Sequence, residues 1–341
     1  MQVELLSEQN ASAWERFVRL AAQATCAHLL GWRNVVVQTY GHVPFFLMAV
    51  DGEQVLGVLP LFLIRSHLFG RFLVTAPYLS YGGLCTSDPQ AATALLDRAR
   101  GLRRELGARY VELRNSQPGG PGLAVKAQYC SFSLALNPDP EVQWTWLKQR
   151  ARTAVRKAKK AGLTAEAGTH LLPGVIPLLT RHVQSLGTPF HGEPFYHAIL
   201  REFPGEAEIL VVRAGETLVG GALLLIVNGI IFCLYGGVLK EYQASSAMSS
   251  LYWEIIRYGC LHGCRLVDFG RSRWDSGTFR FKEQWGASPV PLFYEYDLAD
   301  GVGVPHVDPA NPKFRWAIAT WKRLPHSVAR WLGPYIIRDI P

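Results

Sequence analysis

Two stretches of the chain carry the same alternation of apolar and polar positions. Residues 49–63 (AVDGEQVLGVLPLFL) and 212–226 (VRAGETLVGGALLLI) each run apolar, then Gly-Glu, then apolar again, with Gly52-Glu53 matched by Gly215-Glu216 and Gly57 by Gly220. The pattern predicts a strand, a glycine turn and a second strand in each case. Downstream, Tyr81-Gly82-Gly83 is echoed by Tyr235-Gly236-Gly237. A helix is expected next in each half. Ala91, Leu95, Leu96, Ala99, Leu102 and Leu106 make one apolar face, as do Met248, Leu251, Tyr252, Ile255, Ile256 and Cys260. Gly107 and Gly263 stop these helices, and Arg109-Tyr110-Val111-Glu112-Leu113 and Arg265-Leu266-Val267-Asp268-Phe269 predict a strand after each.

Any one of these elements is common; the same series twice at nearly constant offset is not. The fold class predicted is α/β (α+β), with two tandem copies of one domain, each a mixed, mostly antiparallel sheet flanked by helices. The first copy spans 1–138, the second spans 139–298 and opens with a basic helix, and 299–341 form a basic, aromatic tail.

Composition sets the limits. The chain has 341 residues, 49% hydrophobic and 18% charged, enough to bury two domain cores, which excludes disordered and collagen-like architectures. The opening MQVELLSEQNASAWERF carries acids and no apolar block, and no run reaches the roughly 18 apolar residues of a membrane span, so a cytoplasmic location is expected. The six cysteines are scattered, with only Cys260 and Cys264 close together, a pattern of reduced thiols. His182, His191 and His197 lack the short recurring spacings of a metal set, so no metal is expected, and His191 and His197 read as surface histidines without a catalytic role.

Charge is unevenly placed. Seven Lys or Arg and no acid lie between Lys148 and Lys160, six and no acid between Pro309 and Arg338, and the remainder of the chain is slightly acidic although the net charge is +8. Asp139 as a cap, Pro140 at the first position and Gly162 as a stop predict one helix from Pro140 to Ala161, with Trp144, Leu147, Ala151, Val155 and Ala158 on one side and Arg152, Arg156 and Lys159 on the other. A face kept merely soluble mixes both signs, so this one predicts a phosphate-bearing partner: a nucleotide-sugar or lipid pyrophosphate, tRNA backbone, or anionic lipid. In the tail, Trp316, Trp321, Trp331 and Tyr335 alternate with cations and Pro325 divides any helix in two. That composition suits peripheral contact with the inner face of the cytoplasmic membrane, the alternative being a tail whose tryptophans pack on the body of the protein.

The order hairpin, strand, helix, strand in tandem resembles the doubled GNAT-type acyltransferase fold. More narrowly, RARTAVRKAKKAGL (150–163), SLGTPF (185–190) and VDFGRSRWDSGTFRFKEQWGA (267–287) resemble, in order, the FemAB-like family of peptidoglycan-bridge aminoacyltransferases, in its branch associated with exosortase and exopolysaccharide systems. The resemblance covers roughly residues 1 to 298. It implies an N-acyltransferase that moves an acyl or aminoacyl group onto an amine of a cell-envelope glycan or lipid-linked precursor. GNAT enzymes hold the pyrophosphate of acetyl-CoA in a glycine-rich turn opening a helix, whereas the corresponding residues here, Lys240 to Ala247, contain no glycine. The donor is therefore either aminoacyl-tRNA or acyl-CoA, with no further cofactor. Two alternatives stand beside this reading: an acyl-CoA-dependent GNAT N-acyltransferase of exopolysaccharide biosynthesis, and a non-catalytic phosphate- or glycan-binding protein.

Aminolysis of an activated ester needs an oriented amine and a stabilised oxyanion more than a nucleophilic device. The resemblance implies that the pair Phe281-Lys282 sits beside the acceptor and the acyl carbonyl, and Lys282 is expected to meet the oxyanion or an acceptor anion. Read as a strand, Phe279-Arg280-Phe281-Lys282 puts Arg280 and Lys282 on one face. Asp268, at a strand end, is the candidate general base. Arg271, Arg280, Phe281, Trp285 and Tyr235 are expected to line the substrate site, with Arg152, Arg156 and Lys159 on its phosphate.

Overall fold

The computed structural model of the chain describes residues 1–67, 69–305 and 312–340. Among them, 1–130, 291–305 and 338–340 form one compact unit and 131–290 with 312–337 a second.

In the first unit, β1 (Gln2–Leu5), α1 (Ala11–Leu20) and α2 (Leu30–Tyr40) precede a hairpin of β2 (Val43–Asp51) and β3 (Gln54–Ser66), followed by β4 (Gly70–Thr75), the short β5 (Cys85–Thr86), α3 (Pro89–Glu105), β6 (Tyr110–Asn115) and β7 (Ala124–Ala135). The hairpin turns at Gly52, whose φ of +57° is left-handed, so glycine is required there by backbone conformation. β2 and β4 flank β3 antiparallel, while β4 pairs parallel with β6 through Leu73–Val111 and Val74–Glu112. A parallel pair needs a crossover, and α3 supplies it. The Asp88 carboxylate caps that helix by accepting from the N–H groups of Gln90 and Ala91, and Pro89 occupies its first turn. Its buried face, Ala91, Leu95, Leu96, Ala99 and Leu102, packs into one core with Leu47, Leu59, Leu61 and Leu73 of the sheet.

The second unit repeats the plan. After α4 (Pro140–Trp146), α5 (Gln149–Lys160), β8 (Leu163–Ala167), α6 (Leu172–Leu186) and α7 (Glu193–Glu202) come β9 (Ala207–Ala214), β10 (Thr217–Val227), β11 (Ile230–Val238), α8 (Ala247–Leu261) and β12 (Leu266–Arg273). Gly215 turns the β9–β10 hairpin at φ +55°, β10 is antiparallel to both β9 and β11, and β11 is parallel to β12 with α8 as the crossover. The tandem, mostly antiparallel architecture read from the sequence is what the chain forms.

Two local expectations are corrected. The basic helix is not continuous from Pro140 to Ala161: α4 stops at Trp146, Leu147 and Lys148 are extended with ψ of 141° and 146°, and α5 starts at Gln149. Burying Leu147 and the α5 face of Ala151, Val155 and Ala158, which packs against α8, outweighs one uninterrupted helix. Residues 279–282 are not a strand but part of α9 (Gly277–Glu283), because the Ser276 hydroxyl accepts from the Phe279 N–H and caps a helix there. Within the first unit, β13 (Ser288–Leu298) runs antiparallel to β6 from Phe293 opposite Asn115 to Leu298 opposite Tyr110. Its buried Leu292, Tyr294 and Tyr296 join the core of Ile64, Phe72, Val74 and Tyr110.

The tail forms α10 (Pro312–Arg323) and α11 (His326–Arg338), divided at Pro325 as expected. Residues 306–311 and 341 of the tail lie outside the described residues. Trp321 is buried on Phe190, its indole N–H donating to the Thr188 carbonyl at 3.0 Å, whereas Trp316, Trp331 and Tyr335 point outward. The packing of the tail on the body thus holds for Trp321, and the other three aromatic side chains are exposed. No helix among the described residues is long and apolar enough to cross a membrane.

Candidate functional site

In the second unit β11 and β12 pair only from Ile230–Leu266 to Phe232–Asp268. Beyond that point β11 continues on β10, where Leu223 faces Tyr235 and Leu224 faces Cys233, leaving Leu234 as a bulge. The parting of two parallel strands leaves backbone groups without a ladder partner, and the side chains there supply replacements. Lys282, only 6% exposed, projects from α9 and donates to the carbonyls of Gly270 at 2.8 Å and Arg271 at 3.0 Å on β12. Asp268, 3% exposed, accepts from the Ser131 hydroxyl and the Gly270 N–H, each at 2.6 Å on the same oxygen. A carboxylate oxygen so engaged holds the strand end in shape.

Around this pair the α8 residue Tyr252 stacks on Phe269 at 4.6 Å and meets Phe281 edge-on at 5.0 Å and Trp285 at 5.5 Å. Phe281 and the buried Trp285 are therefore walls of an aromatic box, while Arg271 and Arg280 stand exposed. The half-buried Cys233 belongs to the same place: burial first, then the Asp268 charge, pushes its thiol up, and the Lys282 ammonium opposes that. The sequence reading missed Cys233, and nothing in its spacing marks it.

Tyr235 sits three residues past the last β11–β12 pair. Its hydroxyl lies 3.1 Å from Nε2 of His191. His191 is 5% exposed, so the expectation of a surface histidine is wrong: the ring stacks on Phe195 at 3.9 Å, and burial lowers its pKa to about 3. The aromatic residues flanking it, Phe190, Phe195 and Tyr196, were the available sequence signal.

The basic element stands in the same unit. Arg156 and Lys159 lie 5.6 Å and 6.0 Å from the ring centre of Trp144, which packs edge-on against Trp253 of α8 at 4.7 Å. Nε of Arg152 is buried without a hydrogen-bond partner, and the side chain as a whole is half-buried. Lys240 to Ala247, the glycine-free stretch, ends with Ser246 at φ +64° before α8 begins.

The first unit closes the equivalent opening. After β4 the chain turns through left-handed Ala76 and Tyr78, and the Gly82 N–H donates to the Arg114 carbonyl of β6 at 3.0 Å. Arg114, 3% exposed, donates to Glu112 at 2.8 Å and to the carbonyls of Ala76 and Leu79. A loop and a buried ion pair thus follow the β4–β6 pairing in the first copy, where the second has Lys282 and the Tyr252 aromatic cluster beyond its β11–β12 pairing.

A family model described as an acetyltransferase (GNAT) domain matches residues 147–283, from the buried Leu147 through α9. Among solved structures, FemX superposes with a TM-score of 0.68 at 16% identity, covering 86% of this chain and 97% of its own. The C-terminal domain of a putative lysylphosphatidylglycerol synthetase from Agrobacterium fabrum gives 0.55 at 12%, covering 86% and 93%. A tandem GNAT protein from the clavulanic acid biosynthesis pathway gives 0.53 at 14%, covering 89% and 100%. No curated protein matches the chain. Two copies of one α/β plan, a strand parting in the second and these likenesses together make the chain a tandem GNAT-fold protein.

Proposed function

We propose that the chain is an N-acyltransferase of FemAB type that transfers an acyl or aminoacyl group to an amine of a cell-envelope glycan or lipid-linked precursor. The observation that carries this reading is the second-copy opening between β11 and β12, framed by Lys282, Tyr235 and the aromatic box. In the reaction the amine nitrogen bonds to the acyl carbon, the bond from that carbon to the donor's ester oxygen or thioester sulfur breaks, and the amine proton ends on the leaving group. The donor is activated, so the site's work is to orient the amine and stabilise the oxyanion. Lys282 meets the acyl oxygen or an acceptor anion at the β12 end, and Arg271 and Arg280 extend the positive field outward. Asp268 holds the turn at Gly270.

Arg152, Arg156 and Lys159 take the phosphates of the donor or acceptor. The glycine-free 240–247 stretch favours aminoacyl-tRNA over acyl-CoA, because backbone N–H groups approach a pyrophosphate most closely where no Cβ intervenes. The likeness to a putative lysylphosphatidylglycerol synthetase domain supports an aminoacyl group and a lipid-linked acceptor. The outward Trp316, Trp331 and Tyr335, with exposed Lys322 and Arg323, suit peripheral contact with an anionic membrane carrying that acceptor.

The test is a mass comparison of envelope glycans and lipids from cells with and without the gene, paired with transfer by the purified chain from alanyl-tRNA or acetyl-CoA. A missing acyl increment and transfer from alanyl-tRNA are expected. Transfer from acetyl-CoA alone would assign the acyl-CoA alternative, and no transfer with unchanged glycans and lipids would leave a binding protein.

A further inference from the structure

The loop between α6 and α7 is built around two buried rings. Gly187, at φ +88°, ends α6, and Gly192 begins α7. α11 fixes this loop at close range: a Cβ on Gly333 would stand 3.0 Å from the Phe190 carbonyl, and one on Gly192 would stand 3.1 Å from Pro334. Arg330 of α11 pairs with Glu193 at the rim of a cavity of about 270 Å³ that His191 also lines. The His191 imidazole itself lies between Phe195, stacked at 3.9 Å, and Tyr235, edge-on at 5.3 Å, with Tyr196 edge-on at 6.3 Å. An imidazole placed among rings is there as a neutral hydrogen-bonding group, since its charged form would lose its hydration.

The Tyr235 hydroxyl faces its Nε2 at 3.1 Å, on a half-buried side chain just past the bulge where β11 has left β12. We infer that His191 is a positioning residue for acyl transfer: its Nε2 accepts the Tyr235 hydroxyl proton, which turns the phenolic lone pairs toward the opening to receive an N–H of the acceptor amine. This rests on the N-acyltransferase reading and adds to it the group that orients the nucleophile. An amine held through its N–H directs its lone pair at the acyl carbon, while Lys282 addresses the acyl oxygen from α9. No proton passes to His191. Its low basicity keeps the ring neutral, with one nitrogen free of a proton, at every pH at which the amine is a nucleophile.

The full chain is assayed with alanyl-tRNA or acetyl-CoA as donor and hydroxylamine as the probe amine, reading hydroxamate. His191→Phe keeps a flat ring on Phe195 and removes the acceptor; Tyr235→Phe removes the donor. Each is expected to lower kcat about tenfold, the scale of one lost hydrogen bond, with the donor KM unchanged. The double variant should be no slower than Tyr235→Phe alone, and His191→Gln, whose amide oxygen can accept from the phenol, should recover most of the rate. The pH profile of kcat should show no break assignable to His191. Independently of turnover, ¹⁵N shifts of the His191 ring should report a proton on Nδ1 and none on Nε2. Additive losses in the double variant, wild-type rates in His191→Phe, or a protonated Nε2 would each overturn the inference. Absence of hydroxamate from the wild-type chain with both donors would instead remove the N-acyltransferase reading beneath it.

Discussion

Replacing Lys282 by Met keeps the stem and deletes the ammonium, and the structure sets the size of the effect. The ammonium donates to two β12 carbonyls, at 2.8 Å and 3.0 Å. Hydrogen bonds from a charged group contribute about 1.5–3 kcal/mol each. Gly270 is half-buried and Arg271 exposed, so water can reach both carbonyls once the ammonium has gone, and the low end of that range applies. A loss of about 3 kcal/mol corresponds to roughly 6–12 °C in Tm for a domain of this size. Arg280, on the same helix but exposed, serves as control, and Arg280→Met should stay within about 0.5 kcal/mol of wild type. Thermal and urea unfolding of both variants measures this. A Lys282→Met protein that melts within 1 °C or so of wild type would refute the argument that the ammonium replaces the missing strand partner. Below the melting range the folded variant should turn over on the order of 100-fold more slowly, the usual cost of one oxyanion contact. Near-wild-type turnover in that fraction would leave Lys282 a purely structural tie and shift the electrophilic role to Arg271.

Charge reversal at Arg152, Arg156 and Lys159 together should raise the KM for the anionic substrate steeply, more so at low salt, and barely alter the urea midpoint; unchanged kinetics would make the face a solvated one. Deleting residues 309–341 would strip Phe190 of Trp321, so membrane contact is better tested with Trp331→Ser and Tyr335→Ser, which should keep the fold and cosediment less with phosphatidylglycerol vesicles. His28 and His42 are lowered by burial to about 4, and His191 to about 3, against an ordinary value of 6.5. Above pH 6.5 these rings are neutral folded or unfolded; as pH falls below 6.5 the unfolded chain takes up their protons first. Stability should therefore decline from about pH 6.5 toward 4, by about 2 kcal/mol per histidine at pH 5, and a Tm equal at pH 7.5 and 5 would contradict the burial of these rings.

What the sequence determined by itself was local and repeated. Gly52 and Gly215 turn hairpins at left-handed φ that other residues rarely adopt, and the faces of α3 and α8 are written at helical spacing, so two copies of one plan were legible without any contact being known. The tail's division at Pro325 was legible for the same reason. Where a pattern admits two partners, tertiary packing chose. The alternating Leu292, Tyr294 and Tyr296 announce a strand, but only the core beside Phe72 and Tyr110 makes it the neighbour of β6. Phe-Arg-Phe-Lys alternates as a strand does, yet the cap at Ser276 and the carbonyls waiting at Gly270 and Arg271 make it a helix with Lys282 turned inward. His191 and Tyr235 are 44 residues apart, in a loop and a strand, and no periodicity links them. Turns and amphipathic faces are fixed by neighbours in the chain; the burial of an imidazole against a phenol is fixed by groups that only folding brings within 3.1 Å.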